Sequence, residues 1–234
     1  HDPVLALLSE SLRPKREDCA VLAGKSTLNR LEHGCVGEPT RYHKIAHDTQ
    51  AIEALFVDLF LEAHEKSPGE IVLDLDAPDD PLRGHQEGRF FHGHYHCYCY
   101  LPLYIFRGRH LLAARLRRSN IDASKGSVEE VERIVRQIRK KWRRTRIVLR
   151  ADSGFARDEL MSWCEANRVD YVFGVARNER LEKKIAPALQ EACRASKKSD
   201  QAARVFDDFS WSTKDSWSRR RRIIACPLGD AQRQ

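Results

Sequence analysis

The segments IVLDLD (residues 71–76) and IVLRAD (147–152) each have the composition of a short β-strand that ends in an aspartate. In the first segment, Ile71, Leu73 and Leu75 occupy alternate positions, so these three side chains share one face of the strand. The second segment begins with a continuous apolar run, which is typical of a strand buried inside a sheet. The two segments therefore predict core strands.

Between and after these strands, β-prone stretches and helical patterns alternate. YHCYCYLPLYIF (95–106) has a β composition, and Pro102 within it predicts two strands or one strand with a bulge. Ser127 is the predicted N-cap of a helix, VDYVFGVA (169–176) predicts a further strand, and a charged helix is predicted at about 180–195. The apolar stripe of the first helix comprises Val128, Val131, Ile134, Val135 and Ile138. The resulting order, β, β, β, α, β, α, β, α, predicts an α/β fold with a mixed sheet flanked by helices.

Breaks in composition divide the chain into three predicted segments. Residues 1–69 predict a helical N-terminal segment, which the helix-breaking sequence Ser-Pro-Gly closes. Residues 70–196 carry the α/β pattern. Residues 197–234 become polar and strand-like, and they end without any periodicity.

The overall composition is that of a globular protein with an excess of basic residues. Of the 234 residues, 41% are hydrophobic and 32% are charged, and the net charge is +7. An odd number of cysteines, 7, without a CxxC pair argues against a disulfide framework and predicts a reducing, cytoplasmic location. No apolar run approaches the length of a membrane span. Because the chain starts with HDPVLALLSE and not with Met, we expect it to be a segment of a longer protein.

Basic residues cluster in FRGRHLLAARLRR (106–118), RKKWRRTR (139–146) and RRRR (219–222). Such density favours a polyanionic partner, because each neutralised phosphate releases counterions. A solvated helix face explains these runs equally well. Trp142 within the second run either stacks on bases or anchors the chain in the core. The residues predicted to contact DNA are Arg139, Lys140, Lys141, Arg143, Arg144, Arg146, Arg219, Arg220, Arg221 and Arg222.

Asp76 and Asp152 are the candidate catalytic residues. Each follows an apolar strand, at the end where open α/β sheets bind their ligands. If the two strands are neighbours, both carboxylates can bind one divalent cation such as Mg²⁺, which prefers one or two carboxylates and keeps several waters. The alternative for Asp152, within Asp-Ser-Gly before a helix, is that it caps that helix.

The segment FHGHYHCYC suggests a second kind of metal site. On a strand, His92, His94 and His96 would share one face and could bind zinc together. The alternative is an ordinary β-strand that binds no metal, in which polar residues are followed by aromatic residues.

Five segments resemble the group 1 DDE transposases of bacterial insertion sequences. They are LAGKSTLNRLEH (22–33), VLDLDAPDDPLRGHQEGRFFHGHYHCYCYLPLYIF (72–106), LRADSGFARDELMSWCE (149–165), YVFGVARNERL (171–181) and SWSTKDSWSRRRR (210–222). The resemblance implies that residues 70–196 form an incomplete ribonuclease-H-like catalytic core. It further implies that residues 197–234 are the start of a β-rich insertion followed by a divergent tail.

The resemblance also implies an activity. In that family two aspartates and a glutamate bind Mg²⁺ or Mn²⁺, cut double-stranded DNA at element ends and join the 3′ hydroxyl to target DNA. By position the aspartates are Asp76 and Asp152, and Asp74 is a lesser candidate for the first. A homodimer is expected of the full-length protein, with no membrane association.

The third carboxylate of the family has no counterpart in this sequence. Glu159, Glu165 and Glu179 lie too close to the second aspartate along the chain to replace it. We therefore expect a truncated and inactive transposase fragment. The alternative is a non-catalytic DNA-binding relic that is held to DNA by its basic runs.

Overall fold

The computed structural model describes residues 46–229, together with residues 26, 29–30 and 35–36. The chain divides into two compact units, His1–Leu55 and Phe56–Gln234. In the first unit, strands β1 (Cys35–Val36) and β2 (Ala46–His47) pair in parallel. Most of the predicted helical N-terminal segment lies outside the described residues.

The second unit contains the predicted α/β pattern. Its strands are β3 (Glu70–Asp76), β4 (Asp80–Pro81), β5 (Phe90–His92), β6 (Cys97–Tyr100), β7 (Leu103–Arg107), β8 (His110–Arg115), β9 (Arg146–Ala151), β10 (Asp170–Phe173), β11 (Ala203–Arg204), β12 (Asp207–Trp211), β13 (Arg221–Ala225) and β14 (Leu228–Gly229). The helices are α1 (Thr49–Glu62), which spans the boundary between the units, α2 (Ser127–Lys141), α3 (Asp158–Ala166) and α4 (Glu179–Ser199), and a 3₁₀ turn covers Ser153–Phe155.

A five-stranded mixed sheet organises this unit, with the spatial order β10-β9-β3-β7-β8. β9 is parallel to both β3 and β10, whereas β7 is antiparallel to both β3 and β8. A central first strand, with the antiparallel hairpin of β7 and β8 on one side and two parallel strands on the other, is the ribonuclease-H-like arrangement. The predicted fold class is therefore confirmed.

The hydrophobic core lies on one face of this sheet. β3 alternates as predicted, with Ile71, Leu73 and Leu75 buried. The α2 stripe is buried as well, apart from the partly buried Val128 at its start. Each such aliphatic side chain contributes about 1.5–3 kcal/mol when it is fully buried. Val57, Phe60 and Leu61 of α1 join the same cluster, so the core also includes residues that precede position 70.

Two strand predictions are corrected by the structure. The stretch YHCYCY does not enter the central sheet, because its strand β6 pairs with β4 and β5 in a separate three-stranded sheet. The third core strand is instead β8, which lies inside the first basic run. Its central residues Leu112 and Ala113 are buried, while the basic residues at its ends mask this apolar centre in the sequence.

The start of α2 also differs from the prediction. Ser127 is the first helical residue and not its cap, and no side chain caps the helix at Gly126, which has a left-handed φ of 79°. No helix within the described residues has both the length and the hydropathy needed to cross a membrane.

Candidate active site

Asp76 and Asp152 lie at the same edge of the sheet, where the parallel strands β3 and β9 end, and we call this edge the carboxyl edge. The two strands are parallel, and Asp74 lies opposite Arg150. Asp76 and Asp152 each lie two residues beyond this last pair along the chain, on the same side of the backbone as Asp74 and Arg150, since side chains alternate with a period of two. Asp152 keeps an extended backbone, with φ −75° and ψ −172°, so this alternation continues through it.

The backbone around Asp152 is tightly held. Its Oδ1 accepts a hydrogen bond from the Gly154 amide at 2.8 Å, so the predicted capping role is confirmed for the 3₁₀ turn that follows. A Cβ at Gly154 would lie 3.0 Å from that same oxygen. A Cβ at Gly174 would lie 3.0 Å from the Ser153 nitrogen and 3.2 Å from the Asp152 carbonyl carbon. Capping uses one lone pair of Oδ1, and Oδ2 accepts no hydrogen bond from any described residue.

The choice between Asp74 and Asp76 depends on Arg150. The guanidinium of Arg150 binds Asp74 in a bidentate manner, with Nε 2.5 Å from Oδ1 and Nη2 2.9 Å from Oδ2. The hydrogen bonds that Arg150 donates to Asp74, together with the negative charge of Asp74, raise the pKa of Arg150. Within the described residues Asp76 makes no hydrogen bond or ion pair, and its side chain is exposed. The geometry therefore favours Asp76 as the carboxylate available to a cation.

Tyr95 is a residue of this edge that sequence reasoning missed. It lies in the turn between β5 and β6, where its ring contacts His92 and His94 at centroid distances of 4.8 and 5.0 Å. Burial raises the pKa of the Tyr95 hydroxyl, and the negative charges of Asp79, Asp152 and Asp76 raise it further. The hydroxyl therefore stays protonated at neutral pH and can act as a hydrogen-bond donor beside the aspartates.

The predicted zinc arrangement is wrong. His92 ends β5, whereas His94 and His96 lie in the following turn, and His96 has a left-handed φ of 53°. The three histidines therefore do not share the face of one strand. Across the part of the chain that the structure describes, no group of three or more His, Cys, Asp or Glu side chains is arranged to hold a metal ion. The pair of aspartates nevertheless suits a hard cation that keeps several of its waters.

The glutamates considered in the sequence do not complete this pair. Glu165 accepts hydrogen bonds from Arg221 and Tyr171 and forms an ion pair with Arg219. Burial alone would raise the pKa of Glu165, but hydrogen bonds from Arg221, Tyr171 and Arg219 hold it at about 2. The Glu165 carboxylate on α3 is therefore fully engaged in hydrogen bonds and ion pairs within the protein.

The basic run at 219–222 is largely engaged within the protein. Arg221 is only 6% exposed, and its guanidinium binds Asp158 at 2.7 Å and Glu165 at 2.9 Å. This burial is inconsistent with the prediction that Arg221 contacts DNA, because the carboxylates occupy its donors. Arg222 pairs with Asp208, Arg219 with Glu165, and Arg220 donates to the Ser210 carbonyl. These three side chains are exposed, and their contact with DNA stays a prediction.

The basic run at 139–146 lies at the opposite edge of the sheet from the aspartates, because it leads into the start of β9. Arg146 pairs with Glu70 at 3.0 Å and with Asp170 at 2.6 Å. Trp142 is 6% exposed and packs against the ring of Phe60 with centroids 5.6 Å apart. Trp142 is therefore a core anchor and not a stacking platform for bases.

Comparison with known proteins gives one match to a family. Residues 1–228 match the family described as "Transposase DDE domain group 1". No curated protein sequence matches the chain significantly.

Three solved structures of transposases match parts of this chain at low sequence identity. A Mos1 transposase paired-end complex with the left transposon end is 12% identical over 63% of this chain and 49% of its own, with a TM-score of 0.31. A Mos1 mariner paired-end complex with Mn is 11% identical over the same shares, with a TM-score of 0.32. A piggyBac transposase synaptic complex with hairpin DNA is 14% identical over 72% of this chain and 34% of its own, with a TM-score of 0.37. The chain thus spans about half the length of the Mos1 chains and about a third of the piggyBac chain.

Proposed function

Because the chain belongs to the group 1 family of transposase DDE domains, we propose that it acts in DNA transposition by metal-dependent strand cleavage and strand transfer. The proposed catalytic residues are Asp76 and Asp152, and the proposed substrates are double-stranded element ends and target DNA. The main support is the parallel pairing of β3 with β9, which brings the ends of both strands, and with them Asp76 and Asp152, to the same edge of the sheet. The ion pair that neutralises Asp74 leaves Asp76 as the free carboxylate of β3.

Each side chain has a defined part in this proposal. Asp76 offers both carboxylate oxygens and Asp152 offers its Oδ2, so together they can hold Mg²⁺ or Mn²⁺. When bound, such an ion stabilises negative charge on the scissile phosphate and activates the attacking oxygen. The Tyr95 hydroxyl donates a hydrogen bond to a phosphate oxygen at the carboxyl edge. Gly154 and Gly174 keep the backbone of Asp152 in the position that this binding requires.

We further propose that the 234-residue chain by itself cleaves DNA slowly. The described residues bring two carboxylates together and not the three that hold the cations in this family. Two carboxylates leave more of the charge of a divalent cation unmatched, and we expect weak metal binding as a result. A non-catalytic DNA-binding protein is the second candidate function, supported by the exposed basic residues Lys140, Arg143 and Arg144.

The proposal is tested by nicking of supercoiled plasmid DNA in Mg²⁺ and in Mn²⁺. Asp76→Asn and Asp152→Asn should each abolish nicking, since each removes a negative ligand while keeping the shape of the side chain. Asp215→Asn, an exposed aspartate in the turn between β12 and β13, is the matched control and should nick like the wild type. Nicking that persists in both active-site variants would refute the assignment. Metal-independent binding without nicking in the wild type would favour the second candidate function.

The proposal also covers the origin of the protein, its cellular location and its oligomeric state. We propose a bacterial origin, because the sequence resembles transposases of bacterial insertion sequences. A cytoplasmic site of action follows from that origin, because the DNA of a bacterium lies in the cytoplasm. Pairing of two element ends favours a homodimer. Sedimentation of the protein with and without duplex DNA tests this oligomeric state.

A further inference from the structure

The small sheet of β4, β5 and β6 presents aromatic side chains to solvent on one of its faces. Phe91 on β5 lies directly opposite Tyr98 on β6, and Tyr100 follows two residues later on the same face. The rings of Phe91 and Tyr98 are in edge contact, with centroids 5.6 Å apart, yet the two residues remain 56% and 46% exposed. We call the surface formed by Arg89, Phe91, Tyr98 and Tyr100 the aromatic face.

The opposite face of the small sheet attaches it to the rest of the protein. Cys99, which pairs with Phe90, is completely buried. The hydroxyl of the buried Ser119 donates to the Phe90 carbonyl at 3.0 Å. The Leu82 amide donates to the Tyr98 carbonyl at 2.8 Å. Because the backbone beneath the aromatic face is held in place, its exposed rings are presented at fixed positions.

Arg89 adds a positive charge to the aromatic face. Its guanidinium lies over the ring of Tyr98, with Cζ 4.5 Å from the ring centroid. The same guanidinium donates to the Gly84 carbonyl, and its Nη2 lies 2.9 Å from Nδ1 of His85. Among the residues that the structure describes, no carboxylate forms an ion pair with Arg89. Its charge is therefore available to an anionic ligand.

The aromatic face lies close to the carboxyl edge. β3 ends at Asp76 and β4 begins at Asp80, so the chain between these two residues spans at most about 14 Å. β6 and then β5 follow β4 at spacings of about 4.8 Å. The turn between β5 and β6 carries Tyr95, whose pKa is raised by the charges of Asp152 and Asp76. A DNA strand at the carboxyl edge therefore reaches the aromatic face within a few nucleotides.

Aromatic rings on an open sheet face fit the bases of an unpaired DNA strand. In a duplex the bases stack on one another, so an aromatic side chain stacks on a base only where pairing is lost. An arginine beside the rings attracts the phosphates of the same strand. Proline-rich peptides also bind aromatic side chains, but they dock in aromatic-lined grooves, whereas Phe91 and Tyr98 stand on a flat sheet.

We infer that the aromatic face stacks unpaired bases of the DNA strand beside the phosphate that is cut. This inference rests on the proposed function and adds the state of the substrate, a strand that is locally single-stranded next to the carboxyl edge. Recognition is independent of base sequence, because every base has a face on which a ring can stack. Phe91 and Tyr98 supply the stacking surfaces, and Arg89 binds a phosphate of the same strand.

The first test compares binding of a single strand of about 12 nucleotides with binding of the matching duplex, both in EDTA so that no cleavage occurs. The double variant Phe91→Leu and Tyr98→Leu keeps apolar side chains but removes both rings. It should weaken single-strand binding by about 5-fold to 100-fold for each stacked base and leave duplex binding unchanged.

Two controls separate stacking from folding. The exchange variant Phe91→Tyr and Tyr98→Phe keeps both rings and should bind single strands like the wild type. Phe206→Leu removes another exposed ring, 70% exposed between β11 and β12, and should also have no effect. Unchanged single-strand binding in the leucine variant, or an equal loss of single-strand and duplex binding, would overturn the inference. So would binding of a polyproline peptide that is tighter than single-strand binding and lost in the leucine variant.

The second test locates the unpaired strand directly. A duplex with an unpaired tail of about four nucleotides carries 5-iodouracil in the tail, is irradiated with the protein in EDTA, and the crosslinked peptide is identified by mass spectrometry. Crosslinks should form at Phe91 or Tyr98, because a stacked ring is the nearest partner of the excited base. Crosslinks found exclusively outside the aromatic face would contradict the inference.

The two proposals can fail separately, because both tests are carried out without nicking. If Asp76→Asn and Asp152→Asn nick like the wild type, the catalytic assignment fails, and the binding and crosslinking results still decide whether the aromatic face holds unpaired bases. If those two variants lose nicking while the leucine variant binds single strands like the wild type, the inference about the aromatic face alone is wrong.

Discussion

Replacing Arg221 by methionine should destabilise the protein strongly while leaving DNA binding by the folded protein unchanged. The guanidinium is buried and binds Asp158 and Glu165, and its Nη2 donates to the Ser162 hydroxyl at 3.0 Å. Methionine keeps the length of the aliphatic stem but leaves two partly buried carboxylates without their cation. Removing one partner of a buried ion pair costs about 3–5 kcal/mol.

The pKa of Glu165 gives an upper value for the part of this magnitude that depends on Glu165, because Tyr171 and Arg219 share with Arg221 in lowering it. The pKa falls from an ordinary 4.5 to about 2, because the hydrogen bonds from Arg221, Tyr171 and Arg219 outweigh the effect of burial. A difference of this size corresponds to about 3 kcal/mol of stability at neutral pH. Since the pKa is lower in the folded protein, this stability is fully present above about pH 4.5 and is lost as the pH falls towards 2.

The assay is urea unfolding at pH 7 and pH 3, followed by tryptophan fluorescence. Arg221→Met should lower the free energy of unfolding by about 3 kcal/mol at pH 7. At pH 3 the difference from the wild type should be clearly smaller. Arg222→Met is the matched control, because its pair with Asp208 is exposed and such pairs contribute about 0–1 kcal/mol. If Arg221→Met is as stable as the control but binds DNA more weakly, then Arg221 contacts phosphate and the argument is wrong.

Two further predictions concern the carboxyl edge. Gly174→Ala should reduce plasmid nicking at least tenfold and destabilise the fold by about 1–3 kcal/mol, because its Cβ would press on the backbone at Ser153 and Asp152. Gly69→Ala is the control, because no atom lies within 4 Å of its added Cβ, and it should leave nicking unchanged. Equal effects of Gly174→Ala and Gly69→Ala on nicking would refute the packing argument. Tyr95→Phe should slow nicking by about 10-fold to 100-fold without changing duplex affinity, since one hydrogen bond to a charged group is worth about 1.5–3 kcal/mol. An unchanged nicking rate would exclude the hydroxyl from the reaction.

Much of the fold could be predicted from the sequence because it depends on local periodicity. The alternation in IVLDLD and the apolar stripe of α2 arise from the geometry of a single strand and a single helix, so neighbouring residues suffice to reveal them. The position of Asp76 and Asp152 at the ends of apolar strands was visible for the same reason. That both aspartates lie at the same edge of the sheet depends on the parallel pairing of β3 with β9, which only the tertiary structure shows.

Only the tertiary structure shows which segments that lie far apart in the chain contact each other. Arg221 and Arg222 are identical in type and adjacent in sequence, yet one is buried against α3 and the other is exposed. β8 was hidden within a basic run because its burial depends on pairing with β7. The same is true of Tyr95, whose pKa is raised by the charges of Asp152 and Asp76 although these residues lie far from it in sequence. A sequence specifies the periodicity of each element directly, whereas the partner of a charged or aromatic side chain depends on how the strands pair and where the chain reverses.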